Sequence, residues 1–200
     1  MKQFEEILKE SQGELIKFSD FVLKWQKTVN LIAPSTVSDI WERHIVDSAQ
    51  LFEYIPLNCK VLADMGSGGG FPAIVLAIIN KVIGGSIEKF YLIESDVKKS
   101  IFLKEAARVF DVPVCVINKR LETVCLDDVD VVTARALKSV EELFLLGRGI
   151  IGPHTTCLFL KGEQVDAELA LNTHKCIIEK LPSRTHKKAS ILKIGGICYE

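Results

Sequence analysis

No stretch of this 200-residue chain is apolar for long enough to cross a bilayer. The longest such run, Phe71 to Ile79, falls well short of the ~20 residues a spanning helix needs. Met1-Lys-Gln-Phe-Glu-Glu-Ile lacks the apolar centre of a signal peptide, so a cytoplasmic protein with no membrane attachment is expected. Cysteine is sparse and unpatterned: the six, at 59, 115, 125, 157, 176 and 198, make no Cys-x-x-Cys. Core thiols in a reducing compartment are expected, not disulfides or zinc. His174 beside Cys176 is too small a set to hold a metal. Charge excess is missing too. A net charge of −1 is not the profile of a strong general nucleic-acid binder. There is no internal repeat and no low-complexity segment. What remains, 48% hydrophobic and 26% charged, is globular, and 200 residues can bury one sizeable core.

The chain is organised around Lys60-Val-Leu-Ala-Asp64-Met-Gly66-Ser-Gly68-Gly-Gly70-Phe71-Pro72 and the apolar run after it. Val61, Leu62 and Ala63 read as a buried strand. The run from Ala73 reads as a helix with Pro72 in its first turn, where the missing amide has no intrahelical partner. A glycine turn between strand and helix lets a ligand approach bare backbone, and a helix start offers free N–H groups. The dinucleotide fingerprint needs glycine at the sixth position, and here that position is Phe71. The Asp64 carboxylate would repel a pyrophosphate and suits a cationic or zwitterionic ligand better. S-adenosylmethionine, with a sulfonium, an ammonium and one carboxylate, fits that description.

Elsewhere the pattern alternates. Apolar residues from Phe4 to Val29 step by three and four, an amphipathic helix with a break near Gly13. Trp25 is in phase with that packing face. Pro34 stops the first helical region, and Ser35 or Ser38 caps a second helix reaching about Tyr54. On it Arg43 and Asp47 are one turn apart, as are His44 and Ser48. An internal salt bridge and a polar wall over a cleft both fit these residues. Further strands are expected at Phe90–Ile93, Pro113–Ile117, Asp130–Ala134, Cys157–Leu160, Lys175–Leu181 and Ala189–Ile194, the last two paired. Between the second and third, Asp96 or Ser95 caps a helix that faces the sheet with Ile101, Leu103, Ala106, Ala107 and Phe110.

Ligands of open α/β sheets bind outside the carboxyl ends of the strands. Glu94, Leu121, Glu122 and Arg135 all follow successive strands there. A carboxylate at Glu94 can accept both hydroxyls of a ribose. Two basic clusters stand out: Lys98, Lys99, Lys104 and Arg108, then Lys180, Arg184, Lys187, Lys188 and Lys193. A solvated face and a phosphate-binding face both accommodate them.

Asp64-Met-Gly-Ser-Gly-Gly-Gly-Phe71-Pro72 resembles the cofactor loop of the RsmG (GidB) family of 16S ribosomal RNA guanine-N7 methyltransferases. Asn30-Leu31 after Trp25, Arg43-His44-Ile-Val-Asp47-Ser48, Arg135 and Lys161-Gly162 match in order. The resemblance implies an α/β Rossmann-like class I S-adenosylmethionine-dependent methyltransferase fold, with a mostly parallel seven-stranded sheet. Residues 1–57 would be a helical extension packed on a cofactor-binding domain of residues 58–200. Gly66, Gly68, Gly70 and Phe71 would shape the methionine pocket, with Asp64 near the ammonium and Glu94 on the ribose. By resemblance Leu121 and Glu122 frame the adenine, and Arg135 orients cofactor or substrate phosphate. Lys161, Arg184, Lys187 and Lys188 are the candidates for RNA contact, on 16S RNA or the 30S particle, by a monomer.

Guanine N7 has an in-plane lone pair and no proton to lose, so no general base is expected. The chain has neither the Asn-Pro-Pro-Tyr of adenine amino-group methylation nor the Pro-Cys used at cytosine C5. The rival readings are a nicotinamide oxidoreductase, a non-catalytic RNA-binding protein, and a methyltransferase with another substrate.

Overall fold

The computed structural model describes residues 3–135, 137–171 and 175–198. His174 and the side chain of Cys198 lie outside the described residues. Seven strands run in chain order as β1 (Val61–Met65), β2 (Lys89–Ile93), β3 (Val114–Ile117), β4 (Val131–Arg135), β5 (Thr156–Lys161), β6 (Lys175–Pro182) and β7 (Ser190–Cys198). They form one sheet in the order β3-β2-β1-β4-β5-β7-β6. The first five pair in parallel, and β7 is antiparallel to both β5 and β6. Covered on both faces, β1 and β4 are almost wholly buried, and so they read as apolar runs without alternation.

One face carries α1 (Phe4–Gln26), the short turn α2 (Asp47–Ala49), α3 (Ala73–Ile83) and α4 (Val97–Phe110). Phe4, Leu15, Phe18 and Ile45 share one apolar cluster with Ile74, Leu76 and Phe102. Phe18 lies 5.5 Å from both Phe71 and Phe110. Trp25 packs on Phe21 and Phe102, as its phase predicts. The opposite face carries α5 (Val140–Leu146) and α6 (Val165–Ala170) over a second cluster that includes Met65, Phe144 and Phe159.

Several expectations change. α1 does not break at Gly13, which is exposed while Leu15, Phe18 and Val22 on the packed face are fully buried. One exposed glycine costs about 1 kcal/mol, far less than that face supplies. The helix ends at Gln26, before Pro34. Gln26 Oε1 accepts the amides of Leu31 and Ile32 and so satisfies the loop that follows. Residues 34–54 are not one serine-capped helix. They run through a 3₁₀ turn (Pro34–Asp39), a π-helix (Trp41–Val46), α2 and a second 3₁₀ turn (Gln50–Tyr54). No side-chain cap opens that run; the Thr36 hydroxyl donates to Ala33 O instead. Pro72 is the N-cap of α3, just outside its first turn. In α4, which Asp96 caps, Ile101 points to solvent and Phe102 is buried in its place. Cys59 and Cys157 are core thiols, but Cys115 and Cys125 are exposed.

Candidate active site

The turn after β1 is held in place by its own amides. Gly66 N and Ser67 N donate to Ile93 O, Gly70 N to Ser67 O, and Gly68 N to Glu94 Oε2 at 2.9 Å. The amides of Ile74 and Leu76 are likewise taken, by Gly70 O and Pro72 O. These amides of the turn and helix start are therefore engaged within the protein. The glycines also divide by role. Gly70, at φ +82°, has Ile74 Cγ1 2.8 Å from where a Cβ would stand, so it serves packing against α3 and α1. A Cβ at Gly68 would meet nothing nearer than Gly66 O at 3.7 Å, so open space lies over that backbone.

Asp64, 1% exposed, lies in the middle of the sheet. Thr133 Oγ1 on β4 donates to its Oδ1 at 2.6 Å, while Oδ2 is buried with no hydrogen-bond partner. Burial pushes this carboxyl up to about 6, against the pull of the Thr133 hydroxyl. Glu94 ends β2 as expected, and its Oε1 accepts Asp96 N at 2.7 Å. Leu121 is buried at the head of a 3₁₀ turn after β3, and Glu122 is exposed beside it.

Arg135 leaves β4 with its guanidinium over the Phe71 ring, 5.4 Å from the centroid. Nη1 donates to Arg43 O at 3.1 Å and faces Asp47 Oδ2 at 3.5 Å. Nη2 is hydrogen-bonded to His44 Nδ1. Asp47 therefore pairs with Arg135, where the sequence spacing suggested Arg43. The π-helical turn displaces the i, i+4 register on which that pairing relied. Asp47 Oδ1 also accepts Thr185 Oγ1 at 2.6 Å and Gln50 Nε2 at 2.9 Å. Thr36, Gln50 and Thr185 were missed from sequence, because only the fold brings these loops together.

A cavity of about 580 Å³ opens here. Its floor is the backbone of Gly66 to Gly69 with Phe71 and Arg135; its walls include Thr36, His44, Asp47, Lys161, Thr185 and His186. Asp64, Gly70, Glu94, Leu121 and Glu122 do not line it. The expected site is thus split at the glycine turn. Glu94 and Leu121 lie toward β2 and β3, and the cavity lies over β1, β4 and β5.

The family model described as GidB, rRNA small subunit methyltransferase G, matches residues 11–192. The chain belongs to this family. It is 42% identical over 187 residues to the ribosomal RNA small subunit methyltransferase G of Dinoroseobacter shibae, covering 92% of this chain and 95% of that protein. With the protein of that name from Paramagnetospirillum magneticum it is 40% identical over 197 residues, covering 96% and 91%. Solved structures agree on the fold. The ribosomal protein L11 methylase of Lactobacillus delbrueckii superposes with a TM-score of 0.57 at 15% identity, over 74% of this chain and 76% of that one. M. jannaschii TYW2, solved with AdoMet, gives 0.54 at 14% identity, over 82% and 75%. The architecture is that of class I methyltransferases, with β7 as the reversed strand.

In this GidB-family chain most of the candidate RNA-contacting cations already have partners. Lys161 Nζ pairs with Glu168 at 2.6 Å and donates to Lys138 O, and its side chain is 8% exposed. It braces β5 against α6 at the edge of the cavity. Arg184 grips Glu53, reaches Glu5, and lies 4.7 Å over the Phe4 ring. Its placement is that of a tie between the β6–β7 loop and the N-terminal segment. Lys188 pairs with Glu163 at 3.2 Å in solvent, and Lys187 is exposed. Such exposed pairs are worth ~0–1 kcal/mol and yield readily to a phosphate, so these two lysines keep their candidacy.

Proposed function

We propose that this chain transfers a methyl group from S-adenosylmethionine to N7 of a guanosine in 16S ribosomal RNA. It would act in the cytoplasm as a monomer, on the free RNA or the 30S particle. The observation that carries this reading is the family match across residues 11–192. The site fits the cofactor. Asp64 holds a buried carboxylate oxygen with no partner under the turn, and Gly68 leaves space above it. When bound, the cofactor supplies an electrophilic methyl on a sulfonium. Asp64 would face its ammonium and Glu94 its ribose hydroxyls, through lone pairs left over after Gly68 N and Asp96 N. Leu121 and Glu122 would flank the adenine.

The acceptor base then enters the cavity over β1, β4 and β5, and Arg135 orients it beside Phe71. N7 attacks without losing a proton, so the residues here need only align it. The imidazole of His44 is engaged through both ring nitrogens, which suits a wall and not a proton acceptor. The test is N7-methylguanosine mapping after incubating purified protein and S-adenosylmethionine with unmodified 30S particles and with their RNA. One new modified guanosine is expected in at least one substrate. Neither becoming methylated at N7 overturns the proposal.

A further inference from the structure

We propose that His44, as its Nε2–H tautomer, is the residue that positions the Arg135 guanidinium in the acceptor cavity. This rests on the methyltransferase reading of that cavity. A guanidinium carries donors only. Its bond to His44 Nδ1 therefore needs a bare Nδ1, and the ring proton belongs on Nε2. Nε2 lies 2.8 Å from Thr36 Oγ1. That hydroxyl accepts from the ring and donates onward to Ala33 O at 2.9 Å. From Arg135 through His44 and Thr36 to Ala33, each hydrogen bond then has one permitted direction.

The surroundings hold the ring in this form. His44 is 5% exposed, and it packs on Phe71 at 5.0 Å between ring centroids. Burial first, then the charges of Arg135 and Arg43, push its pKa down to about 3. The charged and titratable groups around it are Arg43 and Asp47 on its own segment and Arg135 from β4. Lys161, Glu163 and His186 line the same cavity. The acid on its own segment that lines the cavity, Asp47, already serves Arg135, Thr185 and Gln50. His44 and Arg43 both lie in the π-helix Trp41–Val46, so one turn supplies Arg135 with an imidazole nitrogen and a main-chain carbonyl. The chemistry gives a reason for a neutral acceptor. Methyl transfer moves a positive charge from sulfur to the base. A second cation in this wall would oppose that movement and repel Arg135. A neutral imidazole fixes the guanidinium without adding charge.

Two arms test this. ¹⁵N-histidine spectra of the protein alone should show His44 as the Nε2–H tautomer, neutral from about pH 8 down to about pH 5. An Nδ1–H tautomer, or an imidazolium near about pH 6, overturns the proposal. The second arm is kinetic. His44→Asn offers an amide oxygen near the place of Nδ1, and His44→Leu offers none. His44→Leu should lower kcat ~10–100-fold, the size of one charge-assisted hydrogen bond, with cofactor Kd unchanged. His44→Asn should recover most of that loss. In an Arg135→Ala background, His44→Leu should add less than about 3-fold, because both changes remove one interaction. Undiminished turnover in His44→Leu, or losses that multiply, overturns the proposal. If His44→Leu does not fold, the spectra and His44→Asn decide. A wild-type protein inactive on RNA sinks the functional reading alone, and the spectra still judge the tautomer.

Discussion

At Asp64, stability and ligand binding pull in opposite directions. The carboxyl is buried with one oxygen unpartnered, and its pKa is raised to about 6. The folded state therefore holds this proton more tightly than the unfolded chain. Stability contributed at this residue falls as pH climbs from about 4 to about 6, then stays level. Asp64→Asn removes that titration. Its unfolding free energy relative to wild type, from urea melts, should rise by ~2–3 kcal/mol between about pH 4 and about pH 7. Calorimetry should show the same variant binding S-adenosylmethionine ~10–100-fold more weakly, since a charge-assisted bond to the ammonium is gone. His44 has the opposite sign. Its folded pKa is depressed to about 3, so its contribution is present above about pH 6.5 and is lost as pH falls toward about 3. His44→Asn should accordingly lose less stability on acidification than wild type does. Sequence alone pointed to Asp64, Glu94 and Arg135 because residue type and strand-end position suffice for that. It did not reach Thr133 under Asp64 or Thr36 behind His44, whose roles depend on contacts across the fold.

Among the elements, the strands were legible and the segment of residues 34–54 was not. Strands buried on both faces write themselves as apolar runs. A 3₁₀ turn and a π-helix leave no comparable periodicity, and here they are set by what packs on them. Glycine shows the same limit. At Gly13 a Cβ would meet nothing within 4 Å, whereas at Gly70 it would meet Ile74 at 2.8 Å from a backbone at φ +82°. One substitution therefore has two signs. Gly13→Ala should stabilise by ~0.5–1 kcal/mol, and Gly70→Ala should destabilise by ~2–4 kcal/mol, as thermal or urea melts would show. Read from sequence, Gly13 looked like a break and Gly70 like part of a ligand pocket. The helix runs unbroken through Gly13, and the packing of Gly70 against Ile74 becomes visible only in three dimensions.

On the scale of the molecule, the β6–β7 loop is pinned to the N-terminal segment across the cavity. Gln50, fully buried, accepts Arg184 N at 2.8 Å and donates to Ser183 Oγ at 3.2 Å. Arg184 adds its grip on Glu53 and Glu5. Gln50→Ala should destabilise by ~1–3 kcal/mol through buried groups left unpaired. It should also speed hydrogen exchange of the Arg184 amide and raise KM for RNA more than it lowers kcat. The basic cluster was visible in the sequence, but its division of labour was not. All three are exposed, but Arg184 is tied to Glu53 and Glu5, whereas Lys188 holds one solvent-exposed pair with Glu163.

This junction sets an order for biosynthesis. Helix α1 leaves the ribosome early, yet the loop whose Arg184 seats on Phe4 and Glu5 emerges only after β6. Until that loop is made, the wall of the cavity that Thr185, His186 and Ala189 supply is missing. A chain cut before that loop would carry the glycine turn but lack those residues from the wall beside it.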